Sequence, residues 1–515
     1  MSGGRGDRLL TPLMLGVASG SILVPLNSTM LAVALPGVMD EFRLGAAAVS
    51  SLVTIYLGAV AVALPISGSL GDRFGHRRAF LGGVVVFGIA SLLAVAAPSF
   101  VLLQLARVFQ AVSGAFVSTS SAALVRIAAS PRRRGEAFGL FDLLTSTSAA
   151  AGPFIGGVLV GAFGWRSLFI VAVPVALIAA VAVGFWLRPA ADLAGPRKAS
   201  ASAPEDGSAD APEDGSADAP EDGSADAPED GSADAPAGRR LANAPADGSA
   251  IRPTFARPPL DVVGLALLAT WIVAILVALR GDTGLPGLVA AVAIVPLAAI
   301  LVWFELGRPV PAVDPRLFRV PAFSAALAGI FGNTVVLHAS FILVPMLVER
   351  LLAGSATTSG LVLLGISGVG ALVAPFGGRA SDRRGRRALV LTGSLVMTAG
   401  LAGLALPAGS GSFIVVGALL AVVGLGMGLS GSPRQAAAFE AIQPNRVGMA
   451  AGTYYTGRYL GGVVGASMAG AVLAAGITAG AISLGFTILV VVGLSVAAVS
   501  RWLPTGRTTS APGAG

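Results

Sequence analysis

Long apolar runs alternate with short polar segments along most of this chain. A helix that crosses a bilayer needs about 20 consecutive apolar residues. Runs of that length lie near 10–35, 47–70, 79–97, 100–125, 137–161 and 166–187, and after a break near 260–279, 284–304, 322–348, 357–377, 388–406, 411–432, 447–474 and 480–502. The pattern predicts an all-α integral membrane protein with about fourteen spans, arranged as two six-helix bundles and two extra central helices.

The break in the pattern is acidic and repetitive. From Pro204 to Ala235 the octapeptide PEDGSADA occurs four times in succession. Pro, Gly, Ser and Asp bury too little apolar area to offset the entropy of ordering, so we predict disorder here. A slack tether is the favoured interpretation, and partner binding is the alternative. The predicted organisation is a bundle at 1–187, an acidic linker at 188–259, two extra helices at 260–304, a second bundle at 305–503 and a disordered tail at 504–515.

The amino-acid composition excludes several classes of protein and of functional site. Residues are 55% hydrophobic and only 12% charged, whereas soluble domains carry about 25% charged residues. The chain has no cysteine and only two histidines, so disulfides and Cys- or His-based metal sites are not expected. No nucleophile–His pair, phosphate loop or paired carboxylates occur, so we expect neither an enzyme nor a cofactor. The basic residues lie between apolar runs, which favours a bilayer over nucleic acid as the partner.

The arginines predict the orientation of the spans. With an even number of spans, nearly all of the 34 Lys and Arg residues fall in loops on one side. The opposite loops hold only Arg43, Arg166, Arg280 and Arg350. Positively charged loops stay on the cytoplasmic side. We therefore expect a plasma-membrane protein with both termini in the cytoplasm. Arg and Ala dominate the composition and Lys198 is the single lysine, which is typical of a high-GC bacterial genome.

A charged motif occurs twice, each time after the second span of a group of six. The first copy is GSLGDRFGHRRA (68–79) and the second is GRASDRRGRRA (378–388). Glycines permit a tight reversal of the chain, and we expect the carboxylate in the first copy to pair with Arg77. The repeat predicts two parallel six-span halves, as in many transporters. The aligned residues are Gly68, Asp72, Arg73, Gly75 and Arg77 with Gly378, Asp382, Arg383, Gly385 and Arg387.

Further motifs follow in order along the first half. They are LNSTMLAVALP (26–36), LLQLARVFQAVSGA (102–115), SAAAGPFIGG (148–157) and WRSLFIVAVP (165–174). With these motifs the chain resembles the major facilitator superfamily, and more narrowly the fourteen-span drug:proton antiporters of the EmrB/QacA type. The resemblance covers nearly the whole chain outside 188–258. It implies that the charged loop motif latches the two halves in one state, with simple anchoring of the loop as the alternative.

The fifth predicted span carries the string Gly152-Pro153-x-x-Gly156-Gly157. Proline removes one helical hydrogen bond, and the glycines let a neighbouring backbone come close. We therefore expect a kink at a packing surface. The resemblance associates this stretch with exporters, whereas ordinary small-residue packing would explain the glycines alone.

Two arginines lie inside predicted spans. Arg107 precedes Gln110 in the fourth span, and Arg458 follows Tyr454 and Tyr455 in TYYTGRYLGG. A cation at mid-membrane costs about 2.5–3.5 kcal/mol on insertion scales, so each needs a partner or a wet cavity. The resemblance implies that Arg107 handles protons or substrate, and a permanent hydrogen bond to neighbouring carbonyls is the alternative. Arg458 could do the same, and the tyrosines either line a drug site or pack in the core.

The first span departs from the resembled family. Asn27 occupies a position where that family usually has an acid, and Asn27 cannot titrate. Asp142 is then the carboxylate inside a predicted span, and burial favours its protonated form. His338, near Asn333 in the ninth span, is the other titratable candidate. The alternatives are an interfacial partner for a loop arginine at Asp142 and a packed histidine at His338.

These observations favour export of a small hydrophobic or amphipathic compound in exchange for protons, by alternating access of a monomer. An uptake symporter for a small metabolite is one alternative. A membrane scaffold or sensor that has lost transport is another, and Asn27 is its best support.

Overall fold

The computed structural model contains helices and no strand in the residues it describes. These are residues 12–128, 134–186, 261–279, 285–308, 311, 313–406, 411–443 and 446–505. The predicted acidic linker and most of the predicted tail lie outside them. So do the side chains of Asp142, Asp382 and Arg383.

Seven helices form the N-terminal bundle. They are α1 (Pro12–Met30), α2 (Leu35–Phe42), α3 (Ala46–Phe74), α4 (His76–Val95), α5 (Phe100–Ala128), α6 (Arg134–Phe163) and α7 (Ser167–Trp186). A short 3-10 turn at Leu31–Ala34 joins α1 to α2, so these two helices make a single span. The bundle therefore has six spans, as predicted.

Two helices follow, and six more form the C-terminal bundle. The central pair is α8 (Val262–Ala278) and α9 (Leu285–Leu306). The C-terminal bundle is α10 (Pro321–Met346), α11 (Ala356–Arg384), α12 (Arg386–Ala405), α13 (Phe413–Glu440), α14 (Val447–Val472) and α15 (Ala479–Val499). A single π-turn at Leu347–Leu351 extends α10.

Every predicted apolar run coincides with a helix, which confirms the all-α membrane fold. Within the described residues, 12 helical segments are long and apolar enough to cross a membrane. α8 is shorter, with 17 residues, and α14 is not among the 12. A total of fourteen spans stays a prediction.

Two glycines mark corresponding ends of the bundles. Gly75 joins α3 to α4 with φ +94°, and Gly385 joins α11 to α12 with φ +87°. Only glycine adopts such angles without strain. Short connections make successive helices antiparallel, so each bundle has one end that carries its glycine turn. We call this the turn end and the opposite one the far end.

The two bundles contact each other near the far end. The first half of α3 packs on the second half of α14, where the Thr54 and Ser467 hydroxyl oxygens lie 3.4 Å apart. The second half of α6 packs on the first half of α11, where the Ser367 hydroxyl donates to the Ala150 carbonyl at 2.8 Å. At the far end itself, Arg350 of the C-terminal bundle pairs with Asp40 of α2 at 2.6 Å.

The central pair packs against the outside of this junction. Leu268 and Ile272 of α8 are buried against Ala61 of α3. Tyr459 and Leu460 of α14 pack against the same cluster. α8 therefore packs against α3, and α14 adds residues to the same cluster.

Candidate functional site

Arg107 is the centre of a buried polar cluster in the N-terminal bundle. Its guanidinium donates to the side-chain oxygens of Asn27 at 2.5 Å and Gln110 at 2.9 Å. Gln110 in turn donates to the Ser91 hydroxyl at 2.8 Å. The guanidinium also lies over the Tyr56 ring, 4.0 Å from its centroid. The cluster joins α1, α3, α4 and α5.

Arg107 is only 1% exposed, and its partners are neutral. Burying a charge is costly unless it is paired, and amides and an aromatic face repay that cost only in part. Among the described side chains, no carboxylate forms an ion pair with Arg107. The Asn27 amide thus accepts a hydrogen bond at a position where a carboxylate would have formed an ion pair.

The first charged motif is built differently from our expectation. Asp72 was expected to pair with Arg77, but its carboxylate contacts the His76 ring at 3.0 Å. Arg77 instead donates to the Gly184 carbonyl at 2.9 Å. The expectation was wrong because the reversal at Gly75 directs Arg77 toward α7. In the second copy, Arg386 pairs with Glu440 of α13.

The remaining residues of the charged motifs follow the same geometry. In the first copy Gly68 is half-buried near the end of α3, and Arg73 is exposed. In the second copy Gly378 and Arg387 are half-buried. For Asp382 and Arg383 the helix is described, but their side chains are not.

The Gly-Pro-x-x-Gly-Gly string lies where the two bundles meet. α6 runs from Arg134 to Phe163 with Pro153 inside it. A Cβ added at Gly157 would lie 2.6 Å from the Ala356 carbonyl oxygen of α11. Gly152 and Gly156 face α1 within their own bundle, next to Thr29 and Met30. The string thus allows close approach on both sides of α6.

One face of α14 changes from buried to exposed along its length. Residues 451, 455, 458 and 462 share this face by helical spacing. Gly462 is next to Leu57 of α3 and the His338 ring. Toward the turn end, Arg458 and Tyr455 are exposed. α3 therefore does not cover this face at Tyr455 and Arg458, and we call the uncovered space next to these two side chains the cleft.

His338 is half-buried where the cleft closes. Its Nδ1 lies 3.0 Å from the Thr334 carbonyl, and its ring packs on Phe341. Asn333 is buried one turn away, and its side-chain oxygen has no partner among the described residues. Tyr454 is 1% exposed and packs between Phe439 and Tyr455, so it belongs to the core rather than to the cleft.

Asp142 lies in α6, but its side chain is outside the described residues. The sequence also missed two buried charges. Arg434 was assigned to a loop beyond the predicted span 411–432, yet α13 continues to Glu440 and buries Arg434 to 1% exposure. Its guanidinium donates to the Gly329 carbonyl at 3.2 Å and the Ser394 hydroxyl at 3.3 Å. Glu305, also 1% exposed, is the next-to-last residue of α9 and lies one residue beyond the predicted span 284–304.

Several bacterial proteins are similar to this chain, two of them over most of its length. It is 29% identical to the MFS-type transporter YwoD of Bacillus subtilis (strain 168) over 496 residues, 96% of this chain and 97% of the relative. It is 27% identical to a multidrug resistance protein B homolog of Mycobacterium tuberculosis (strain ATCC 25618 / H37Rv) over 87% of this chain and 73% of the relative. A tetracenomycin C resistance and export protein of Streptomyces glaucescens is 39% identical over 171 residues, 33% of this chain and 32% of the relative.

The fold also matches a solved structure, that of a D-xylose–proton symporter. The TM-score is 0.61 and the sequence identity 13%, over 96% of this chain and 98% of that chain. The sequence matches the Major Facilitator Superfamily over residues 17–466 and again over 327–514. Two bundles with matching glycine turns, a buried arginine cluster and this match together show that the chain belongs to the Major Facilitator Superfamily.

Proposed function

We propose that this transporter exports drug-like or antibiotic small molecules across the plasma membrane in exchange for protons. In this proposal the chain is a drug:proton antiporter of the fourteen-span type. Support comes from the Gly-Pro-x-x-Gly-Gly string and from relatives named for multidrug resistance and antibiotic export.

The observation that carries the proposal is the place of Gly157. It belongs to the exporter-type string, and it lies at the contact between α6 and α11 that closes the far end. A residue at this contact changes its surroundings when the bundles rock against each other, as alternating access requires. This position supports a role for the string in the conformational change as well as in helix packing.

The proposed orientation puts the turn end in the cytoplasm. Arginine-rich segments cluster at that end, as expected for cytoplasmic loops. The cleft then opens to the cell interior, which is the state in which an exporter loads its substrate. Asp142 and His338 are the proposed proton carriers, because Asn27 and Gln110 cannot titrate.

Resistance in living cells tests export directly. The chain is expressed in a bacterium that lacks its own drug pumps, and growth is measured on a panel of drugs with and without a protonophore. We expect resistance to at least one compound and loss of that resistance with the protonophore. Increased drug accumulation would instead support uptake, and no change for any compound would contradict transport of drugs.

Two substitutions test which of the two candidate residues, Asp142 or His338, carries the proton. Asp142→Asn and His338→Gln each remove one titrating group with little change in shape. Export is then measured in inverted vesicles with an imposed pH gradient. We expect one of the two variants to lose pH-driven export, and undiminished export by both would contradict proton coupling through these groups.

A further inference from the structure

Arg458 places a positive charge beside the cleft, and no carboxylate among the described side chains forms an ion pair with it. Arg458 lies near the middle of α14, exposed on the face that opens below the contact with α3. No hydrogen bond or ion pair joins its guanidinium to another described residue. A cation at this depth requires water or an anionic partner, and the exposed face of α14 supplies an opening for both.

The distribution of acids in the sequence strengthens this point. Apart from Asp142, every acidic residue of the fourteen spans lies within about one turn of a helix end or beyond it. Arg107, Arg434 and Arg458 all lie deeper. The middle of the protein is therefore electropositive, and a cationic drug would be repelled there while an anionic one would be attracted.

The neighbours of Arg458 suit an amphipathic ligand. Tyr455 is exposed one turn toward the turn end on the same face, and its ring offers an aromatic surface. The His338 ring lies next to Gly462, one turn from Arg458 on the same face of α14. A guanidinium binds planar oxyanions such as carboxylates through two parallel hydrogen bonds.

We propose that the exported compounds are organic acids, and that Arg458 binds their anionic group while Tyr455 contacts their aromatic or apolar body. The inference rests on the proposed export function and names its substrate class. The substrate class also explains how this chain can have Asn27 where the resembled family usually has an acid. An anion that leaves a negative cell interior moves down the membrane potential, which alone sustains a gradient of roughly fortyfold at 100 mV. Export of an acid thus depends less on a titrating carboxylate.

Matched compounds test the inference in the pump-deficient strain. Naphthoate, naphthalenemethanol and naphthylmethylamine share one ring system and differ in charge, and each acidic drug of the panel is tested beside its amide. Cellular accumulation is measured for wild type, Arg458→Gln, Arg458→Lys and Arg458→Glu, with the amount of each variant in the membrane as the control for folding.

We expect wild type to export the acids in preference to their neutral and amine counterparts. Arg458→Gln should reduce acid export by at least roughly tenfold, the effect of one lost charge-assisted hydrogen bond, and Arg458→Lys should retain more of it. Arg458→Glu should shift the preference toward the amine.

Three outcomes would overturn the inference. Export confined to amines or neutral compounds would contradict the substrate class while leaving drug export standing. Unchanged acid export by Arg458→Gln would contradict the role of Arg458. No export of any compound by wild type would overturn the proposed function and the inference together.

Discussion

The far end and the turn end of the two bundles are held together in different ways. At the far end small residues let backbones touch across the junction, and the Asp40–Arg350 ion pair adds a polar link. At the turn end each charged motif bonds within its own bundle, through His76 to Asp72 and through Arg386 to Glu440. Contacts between bundles thus close one end, while contacts within bundles leave the other free to open.

The difference shows where the transporter can rock. Backbone contacts through glycine are short and shape-dependent, so they either form fully or break. The turn-end pairs survive a rigid movement of one bundle against the other, because both partners move together. The contacts between the bundles at the far end therefore maintain this state. When they break, the bundles can rock and the turn end can close.

Filling the far-end junction should have the largest effect. Gly157→Leu forces a side chain against Ala356, and overpacking of this kind costs about 1–3 kcal/mol in the state where the far end is closed. We expect export to fall by roughly tenfold or more. Gly82→Leu is the matched control, because a Cβ at Gly82 meets nothing within 4 Å. Equal loss in both variants would contradict the role of the junction.

The buried arginines Arg107 and Arg434 extend the comparison between the far end and the turn end. Arg107 lies about two turns from the far end of α5, and Arg434 lies about two turns from the turn end of α13. Arg107→Met leaves two amides without their partner, at about 1–3 kcal/mol each, but relieves a buried charge worth about 2.5–3.5 kcal/mol. We expect nearly unchanged thermal stability with severe loss of export.

Arg434→Met is the matched variant. Its partners are a helix carbonyl and the Ser394 hydroxyl, which also donates to Val390, so little is left without a partner. We expect a higher melting temperature for Arg434→Met than for Arg107→Met, measured on the purified proteins. The reverse order would contradict this account of the two environments.

Removing the far-end ion pair should have the smallest effect. Both partners are partly exposed, and exposed pairs contribute about 0–1 kcal/mol. Asp40→Asn should therefore loosen far-end closure slightly and change export by less than about fivefold. Glu41→Gln is the control, because Glu41 pairs with Arg166 inside its own bundle. Labelling of an introduced far-end cysteine should rise in Asp40→Asn and not in Glu41→Gln.

Hydropathy predicted the spans well because the bilayer demands continuous apolar helices. It failed at span ends, where helices continue past the apolar run. α13 extends eight residues beyond the predicted limit, to Glu440, and this extension carries Arg434. A drop in hydropathy does not end a helix that still packs against its neighbours, so the buried Arg434 had no signal in the apolar pattern.

Side-chain directions were harder to predict than helices. The motif places Asp72, His76 and Arg77 within six residues, but the backbone turn at Gly75 decides which of them meet. The Asn27–Arg107 contact joins α1 to α5 across the bundle, a pairing that spacing along the chain does not reveal. Both depend on tertiary packing.

Cross-linking tests the central claim that the far-end junction must open for transport. The chain has no cysteine, so introduced pairs report without background. Thr54→Cys with Ser467→Cys links the two bundles, where the hydroxyl oxygens lie 3.4 Å apart. Ser67→Cys with Thr119→Cys is the matched control, because it links α3 to α5 inside one bundle at 3.2 Å.

The measurement is drug export by both double variants before and after oxidation, and again after reduction. Oxidation of the inter-bundle pair should abolish export, and reduction should restore it, while the control pair keeps exporting throughout. Export that continues with the inter-bundle disulfide fully formed would contradict the account.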